Sequence, residues 1–138
     1  MRSFLLRAVL VLPLAGGAWA CGSNPLPTTP TEPTLATEVF SGTVTVNGAV
    51  THNFYSTSTG SVTATLTALS PESTPTIGLG LGTWNGASCA VIIANDRAVL
   101  SSIVTGTVST IGGSLCIRIY DVGAMTEPTD YTVTVVHP

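Results

Sequence analysis

In Val62-Thr63-Ala64-Thr65-Leu66-Thr67 every second side chain is aliphatic and every intervening one is threonine. A two-residue period puts one face of an extended chain into a core and the other into water, and no helix can use it that way. The same period sets Phe40, Val44 and Val46 against Thr43 and Thr45, carries Val50, His52 and Phe54, and ends in Tyr131, Val133 and Val135. Turn residues break it at intervals of about ten, which is the spacing of a sandwich or barrel. The 23 threonines fit this, because a branched Cβ favours strands over helices. The expected fold is therefore all-β: a single jelly-roll-like antiparallel β-sandwich of about eight strands.

Local signals divide the remainder. Asn47-Gly48 reads as a two-residue hairpin turn and Asn85-Gly86 as a second tight turn. Pro71 and Pro75 mark residues 70–75 as a loop. Further strands are expected over residues 89–94, 99–108 and 114–120, the last two separated by Gly112-Gly113. In Ile77-Gly78-Leu79-Gly80-Leu81-Gly82 one face is glycine throughout, so a neighbouring backbone or an aromatic ring can approach it closely. A phosphate-cradling loop would need a helix after it, and none is expected.

The first twenty residues have a different character. Arg2 and Arg7 precede an apolar run over residues 8–14 and the small-x-small sequence Ala18-Trp19-Ala20, the pattern of a signal peptide occupying residues 1–20. The run is too short to stay in a bilayer as a spanning helix. Cleavage after Ala20 makes Cys21 the first mature residue, and the leader resembles that of a bacterial lipoprotein, although Ala18 and Trp19 depart from the usual lipobox. Lipid on Cys21 would give stable membrane attachment, and it accounts for the odd cysteine of three. Cys89 and Cys116 then remain to form a disulfide, worth about 3.5 kcal/mol in the chain-entropy model for a loop of about 28 residues. Cys116 is out of phase with Leu115, Ile117 and Ile119, so the bridge need not lie in the core and can instead staple two strands on an outer face. The alternative is a periplasmic or secreted protein whose Cys21 is free or joins two copies.

Residues 21–37 are rich in proline and threonine and lack periodicity. They read as a disordered spacer reaching on the order of 50 Å, ahead of the sandwich at residues 38–138. After the leader only Arg97 and Arg118 stand against seven acids, which removes the basic footprint that nucleic-acid binding needs.

Phe40-Ser41-Gly42-Thr43-Val44, His52-Asn53-Phe54-Tyr55, the strand from Gly60 to Leu66, Leu115-Cys116-Ile117-Arg118-Ile119-Tyr120 and Tyr131-Thr132-Val133-Thr134-Val135 together resemble the bacterial pre-peptidase C-terminal domain. The resemblance covers most of residues 38–138 and implies an eight-stranded β-sandwich without catalytic activity. Such domains are usually appended to secreted hydrolases and assist binding or secretion. This chain differs in lacking an attached enzyme, in having His52 where an aromatic residue is common, and in its cysteine pair.

Chemistry-bearing residues are few. His52 and His137 are the only histidines, and no Gly-x-Ser-x-Gly turn accompanies them, so no nucleophile-base pair is expected and the chain is not read as an enzyme. Two histidines and a paired pair of cysteines do not make a zinc site. Asp121, Glu127 and Asp130 are close enough in sequence to offer calcium oxygen ligands; no other cofactor is indicated. Trp84, Tyr55 and Tyr120 serve either to stack on sugar rings or to fill a sandwich core. The expectation is a non-catalytic, lipid-anchored binding or adhesion module of the cell envelope, recognising a glycan or an envelope protein. The alternatives are a self-associating structural surface protein and an accessory domain acting with a separate secreted hydrolase.

Overall fold

The computed structural model describes residues 31–71 and 76–138, together with Thr29. The leader, Cys21, most of the proline-rich spacer and Glu72 lie outside the described residues. One unit spans Thr31–Pro138. Its strands are β1 (Ala36–Val44), β2 (Ala49–Ser56), β3 (Gly60–Ser70), β4 (Ile77–Trp84), β5 (Cys89–Ala98), β6 (Ile103–Val108), β7 (Gly113–Tyr120) and β8 (Thr129–His137), with no helix among the described residues. They form two antiparallel four-stranded sheets, ordered β1-β8-β3-β6 and β2-β7-β4-β5, here called sheets A and B.

That pair of orders is a jelly roll. Every chain connection but one passes from one sheet to the other, and only β4 and β5 are joined as a hairpin. β1 lies over β2 on one side of the sandwich, and β6 lies over β5 on the other. The alternation in sequence becomes the core: Val62, Ala64 and Leu66 of β3 and Tyr131, Val133 and Val135 of β8 face Ile77, Leu79 and Leu81 of β4 and Ile117 and Ile119 of β7. Each such aliphatic side chain, once buried, contributes on the order of 2 kcal/mol of transfer free energy. The outward side of sheet A is mostly hydroxyl, with Val39 and Ile103 exposed among the threonines. Ser41 Oγ lies 3.0 Å from Thr132 Oγ1, and Thr67 Oγ1 lies 3.2 Å from Thr134 Oγ1. In a chain with so few charges these hydroxyls keep that face compatible with water.

The structure departs from the sequence reading at several points. The Asn47-Gly48 segment is a corner between sheets, because β1 pairs with β8 and β2 with β7. Its central residues are Val46 and Asn47, with Asn47 at φ 57° and the Gly48 N–H donated to Thr45 O at 2.8 Å. Val46 is accordingly 40% exposed instead of lying in the core. β1 begins at Ala36, since Ala36 and Thr37 already pair with His137 and Val136. β5 continues through Asn95, Asp96 and Arg97 to Ala98, the Asn95 side chain accepting the Arg97 N–H at 2.9 Å where the ladder with β4 shifts register. The chain turns only afterwards, at Ser101 with φ 69°, so β6 starts at Ile103 and not at residue 99. In β3 a register shift between Leu66 and Ala68 moves the phase by one and buries Leu69 in place of Ala68.

Candidate functional site

The glycine face of β4 organises the outer surface of sheet B. At Gly78 a Cβ would lie 2.2 Å from the ring of Tyr120, at Gly80 it would lie 2.8 Å from the Val91 side chain, and at Gly82 it would lie 2.0 Å from Ala90 O. Glycine thus admits a ring at one end and a neighbouring backbone at the other, as the sequence predicts. The start of β5 passes over the outward side of Gly82, which brings Cys89 to Cys116. The disulfide joins β5 to β7 across the intervening β4, with Cα atoms 5.8 Å apart, and Cys116 is fully buried beneath it. Cys116 lies outside the hydrophobic core cluster, so the bridge staples the outer face.

All three candidate rings stand on this face and none fills the core. Tyr55 pairs in register with Ser114, and because Thr83 pairs with Leu115, Trp84 falls on the same row. Tyr55 and Trp84 are therefore two strand spacings apart, about 10 Å. Tyr55 is 55% exposed, and its hydroxyl end reaches toward Gly112 in the β6–β7 loop. Tyr120 is at the other end of β7, closing over Gly78. Its hydroxyl donates to the Asp96 carboxylate and the Arg118 guanidinium carbon lies 6.0 Å from its ring centroid. Burial first, then the bond to Asp96, pushes the Tyr120 phenol up to about 12.

The two sides of the sandwich differ. Where β1 covers β2, five rings form a column: His137 against Phe54 at 5.0 Å, Phe54 against Phe40 at 6.2 Å, Phe40 stacked on His52 at 5.0 Å, and His52 edge-on to Tyr131 at 6.0 Å. His52 Nε2 lies 2.8 Å from the Tyr131 hydroxyl. Burial lowers the His52 imidazole from its ordinary value and pushes the Tyr131 phenol up to about 12, so both are held neutral over a wide pH range. At the end of the column His137 Nε2 lies 2.9 Å from Glu38 Oε1. The sequence placed His52 inward but gave no sign that the rings of three strands would stack, because their order depends on which edges overlap.

Where β6 covers β5, the seam stays open. A slot of about 230 Å³ enters between the sheets, lined by Val62, Leu81, Ile93, Val108 and Leu115, with Thr83, Thr107 and Ser114 at its rim and no charged side chain in its wall. Gly106 of β6 makes room for it, since a Cβ there would lie 2.9 Å from Leu81 Cδ2. Ile92 stands at the mouth, 70% exposed. The signal in the sequence is Val91-Ile92-Ile93, three aliphatic residues in a row that break the alternation; β5 takes up the extra residue in a register shift opposite Leu81 and Gly82.

Two of the three carboxylates offered for calcium, Asp121 and Asp130, accept hydrogen bonds within the protein. Asp121 Oδ2 accepts the Asn47 N–H at 2.8 Å, and Oδ1 accepts those of Gly123, Ala124 and Met125 at 2.8, 3.0 and 3.1 Å. These bonds, the Asn47 one foremost, lower its pKa and tie the β7–β8 loop to the β1–β2 corner. Asp130 accepts from the Thr43 hydroxyl, and Glu127 is exposed in the loop. Among the described residues no three His, Cys, Asp or Glu side chains are grouped to hold a metal ion.

No family model matches this chain, and no curated protein sequence matches it. Among solved structures it is similar to PliG, a periplasmic lysozyme inhibitor of g-type lysozyme from Aeromonas hydrophila. The two are 15% identical with a TM-score of 0.53, over 72% of this chain and 83% of PliG. At that identity the likeness establishes a common β-sandwich fold.

Proposed function

We propose that this chain is an exported, non-catalytic binding module of the bacterial envelope whose partner is a protein, seated on the open seam between β5 and β6. The exposed aliphatic mouth of that seam, Ile92 and Ile93 above an uncharged slot, carries the reading. A slot of about 230 Å³ is below the range of roughly 300–1,000 Å³ usual for small-molecule sites, and it suits one large apolar side chain of a partner. The fold shared with an inhibitor of g-type lysozyme, together with the pre-peptidase resemblance, supports a partner that is itself a hydrolase. The leader supports a diacylglyceryl group on Cys21 holding the domain to a membrane, with the spacer giving it reach.

A g-type lysozyme is the first probe. Titrated with the mature chain, its lysis of cell walls is expected to fall, and Ile92→Asp is expected to weaken the effect by on the order of a hundredfold, the loss of a central interface residue. Absence of binding to the lysozyme and to proteins of an envelope extract would sink the proposal. Intact mass from membranes tests the lipid at Cys21.

The Tyr55–Ser114–Trp84 row favours a second reading, a neutral glycan stacked on the outer face of sheet B. Soluble cell-wall fragments that bind the parent and Tyr55→Ala equally would dismiss it.

A further inference from the structure

The tripeptide Asn-Gly-Ala occurs twice, at Asn47-Gly48-Ala49 and at Asn85-Gly86-Ala87, so any difference in reactivity between the copies comes mainly from the fold. We propose that Asn85 is a site of spontaneous self-modification, converting to aspartate and isoaspartate through a succinimide, while Asn47 is protected. This inference is independent of the binding partner.

The reaction has simple requirements. The backbone nitrogen of the following glycine attacks the asparagine Cγ and loses its proton to solvent, and negative charge gathers on Oδ1. The tetrahedral species collapses with cleavage of the Cγ–Nδ2 bond, and ammonia leaves with the proton it needs. Water then opens the five-membered imide at either carbonyl, giving aspartate or isoaspartate. No electrons are exchanged, and water is the only co-reactant.

The β4–β5 hairpin loop supplies each requirement at Asn85. Its Oδ1 already accepts the N–H groups of Ala87 and Ser88, at 2.9 and 2.8 Å, two fixed donors aimed at the atom where charge develops. Nδ2 donates to Ser88 Oγ at 3.2 Å, and that hydroxyl donates to Oδ1 at 3.4 Å, a third donor at the oxygen where charge develops. The Gly86 N–H has no hydrogen-bond partner among the described residues, so the nucleophile is not tied down. Gly86 takes φ 95°, which favours glycine, and a Cβ there would meet nothing within 4 Å, so water reaches the imide freely.

At Asn47 the same atoms are engaged differently. The Gly48 N–H is spent on Thr45 O at 2.8 Å, and attack on Cγ would break the bond that closes the corner. Asn47's own N–H is held by Asp121 at 2.8 Å, and among the described residues no backbone N–H is aimed at its carboxamide oxygen.

Peptide mapping of the mature chain after incubation in warm, mildly alkaline buffer decides the question. It reads the one-mass-unit gain at each asparagine, with fragmentation that separates isoaspartate from aspartate. In the folded chain the Asn85 peptide is expected to convert on the order of tenfold or more faster than the Asn47 peptide, and in denaturant with the disulfide reduced the two rates should converge. Ser88→Ala keeps the backbone donor and loses the hydroxyl, so it should slow Asn85 severalfold with an unchanged melting curve. The proposal is overturned if Asn47 converts as fast as Asn85 in the folded chain, if neither converts, or if the ratio persists in denaturant.

Discussion

Replacing Gly82 with alanine tests the account of sheet B most directly. The added methyl would sit 2.0 Å from Ala90 O and 2.7 Å from the Val91 Cα. Both are backbone atoms, so no rotamer change relieves the clash, and ordinary contact requires β5 to withdraw by more than 1 Å. That displacement pulls on the β4–β5 ladder and on the Cys89–Cys116 bridge, which crosses β4 at this residue. Overpacking against side chains costs about 1–3 kcal/mol, and against fixed backbone the upper end applies, about 3 kcal/mol. For a domain of about 100 residues this lowers Tm by roughly 12–24 °C, a large share of a total stability of about 5–15 kcal/mol. Gly78→Ala is the graded control. Its obstacle is the Tyr120 ring, which can swing away with loss of the Asp96 hydrogen bond and of its cover over β4, so about 1–2 kcal/mol is expected. Gly86→Ala meets no atom and pays only for its positive φ, about 1 kcal/mol. Thermal unfolding followed by circular dichroism, with the disulfide intact, should rank the losses Gly82, Gly78, Gly86. A Gly82→Ala melt within a degree of the parent would show that β5 does not lie on this glycine.

Three other outcomes follow from the same contacts. Replacing Cys89 and Cys116 by alanine should cost about 3.5 kcal/mol, read as a lower urea midpoint with a steeper slope as the unfolded chain loses its cross-link, and an unmoved midpoint would mean that the bridge constrains nothing. His52 is lowered by burial from an ordinary value near 6.5, so the folded state resists the proton that the unfolded chain accepts. The stability it contributes is present above pH 6.5 and is lost as pH falls through its lowered folded value. The fall in Tm on acidification through that window should be shallower in His52→Gln, and equal slopes would contradict the assignment. Asp121→Ala should speed hydrogen exchange at the amides of Asn47, Gly123, Ala124 and Met125, all four of which donate to its carboxylate, and unchanged protection there would refute its role as the loop tie.

What the sequence made legible is what a period of two can encode. Val62, Ala64 and Leu66, or Tyr131, Val133 and Val135, declare their inward face without reference to any partner, and the jelly roll follows from such strands and their turns. The glycine run announced close approach for a similar reason, since the missing Cβ atoms have no other use in a strand. Pairing was less legible. Asn47-Gly48 carries hairpin chemistry, yet β1 and β2 lie in different sheets, because the partner of β1 is the last strand and no local signal spans that distance. Ring placement, left open between core and surface, is decided by phase within each strand. Tyr55, Trp84 and Tyr120 are large enough for a core, but each falls on the odd phase of its own strand relative to Phe54, Leu81 and Ile119. Asp121, Glu127 and Asp130 are neighbours along the chain, but the sequence carries no sign that backbone amides gather on the Asp121 carboxylate.

The asymmetry between the two sides of the sandwich is the physical basis for proposing the seam as the surface for a partner. A jelly roll leaves an open edge on each flank, and each flank must be covered, charged or used. Over β1 and β2 the chain spends its aromatic side chains: His137, Phe54, Phe40, His52 and Tyr131 fill the gap between the sheets, and Glu38 meets His137 at its end. Over β5 and β6 it spends none. Gly106 and Thr107 leave the slot open, and the bulge in β5 turns Ile92 outward in place of adding a charge. The lysine that commonly blunts such an edge is absent from the whole chain, and the two arginines of the domain lie elsewhere on β5 and β7. Sealing one flank with rings while leaving the other aliphatic and uncharged exposes apolar surface to water at a cost that burial against the proposed partner would offset. Bulges at Ile92 and beside Asp96 disfavour simple addition of another molecule's strand to β5, so the proposed contact is made through the side chains at the mouth and not through the backbone edge.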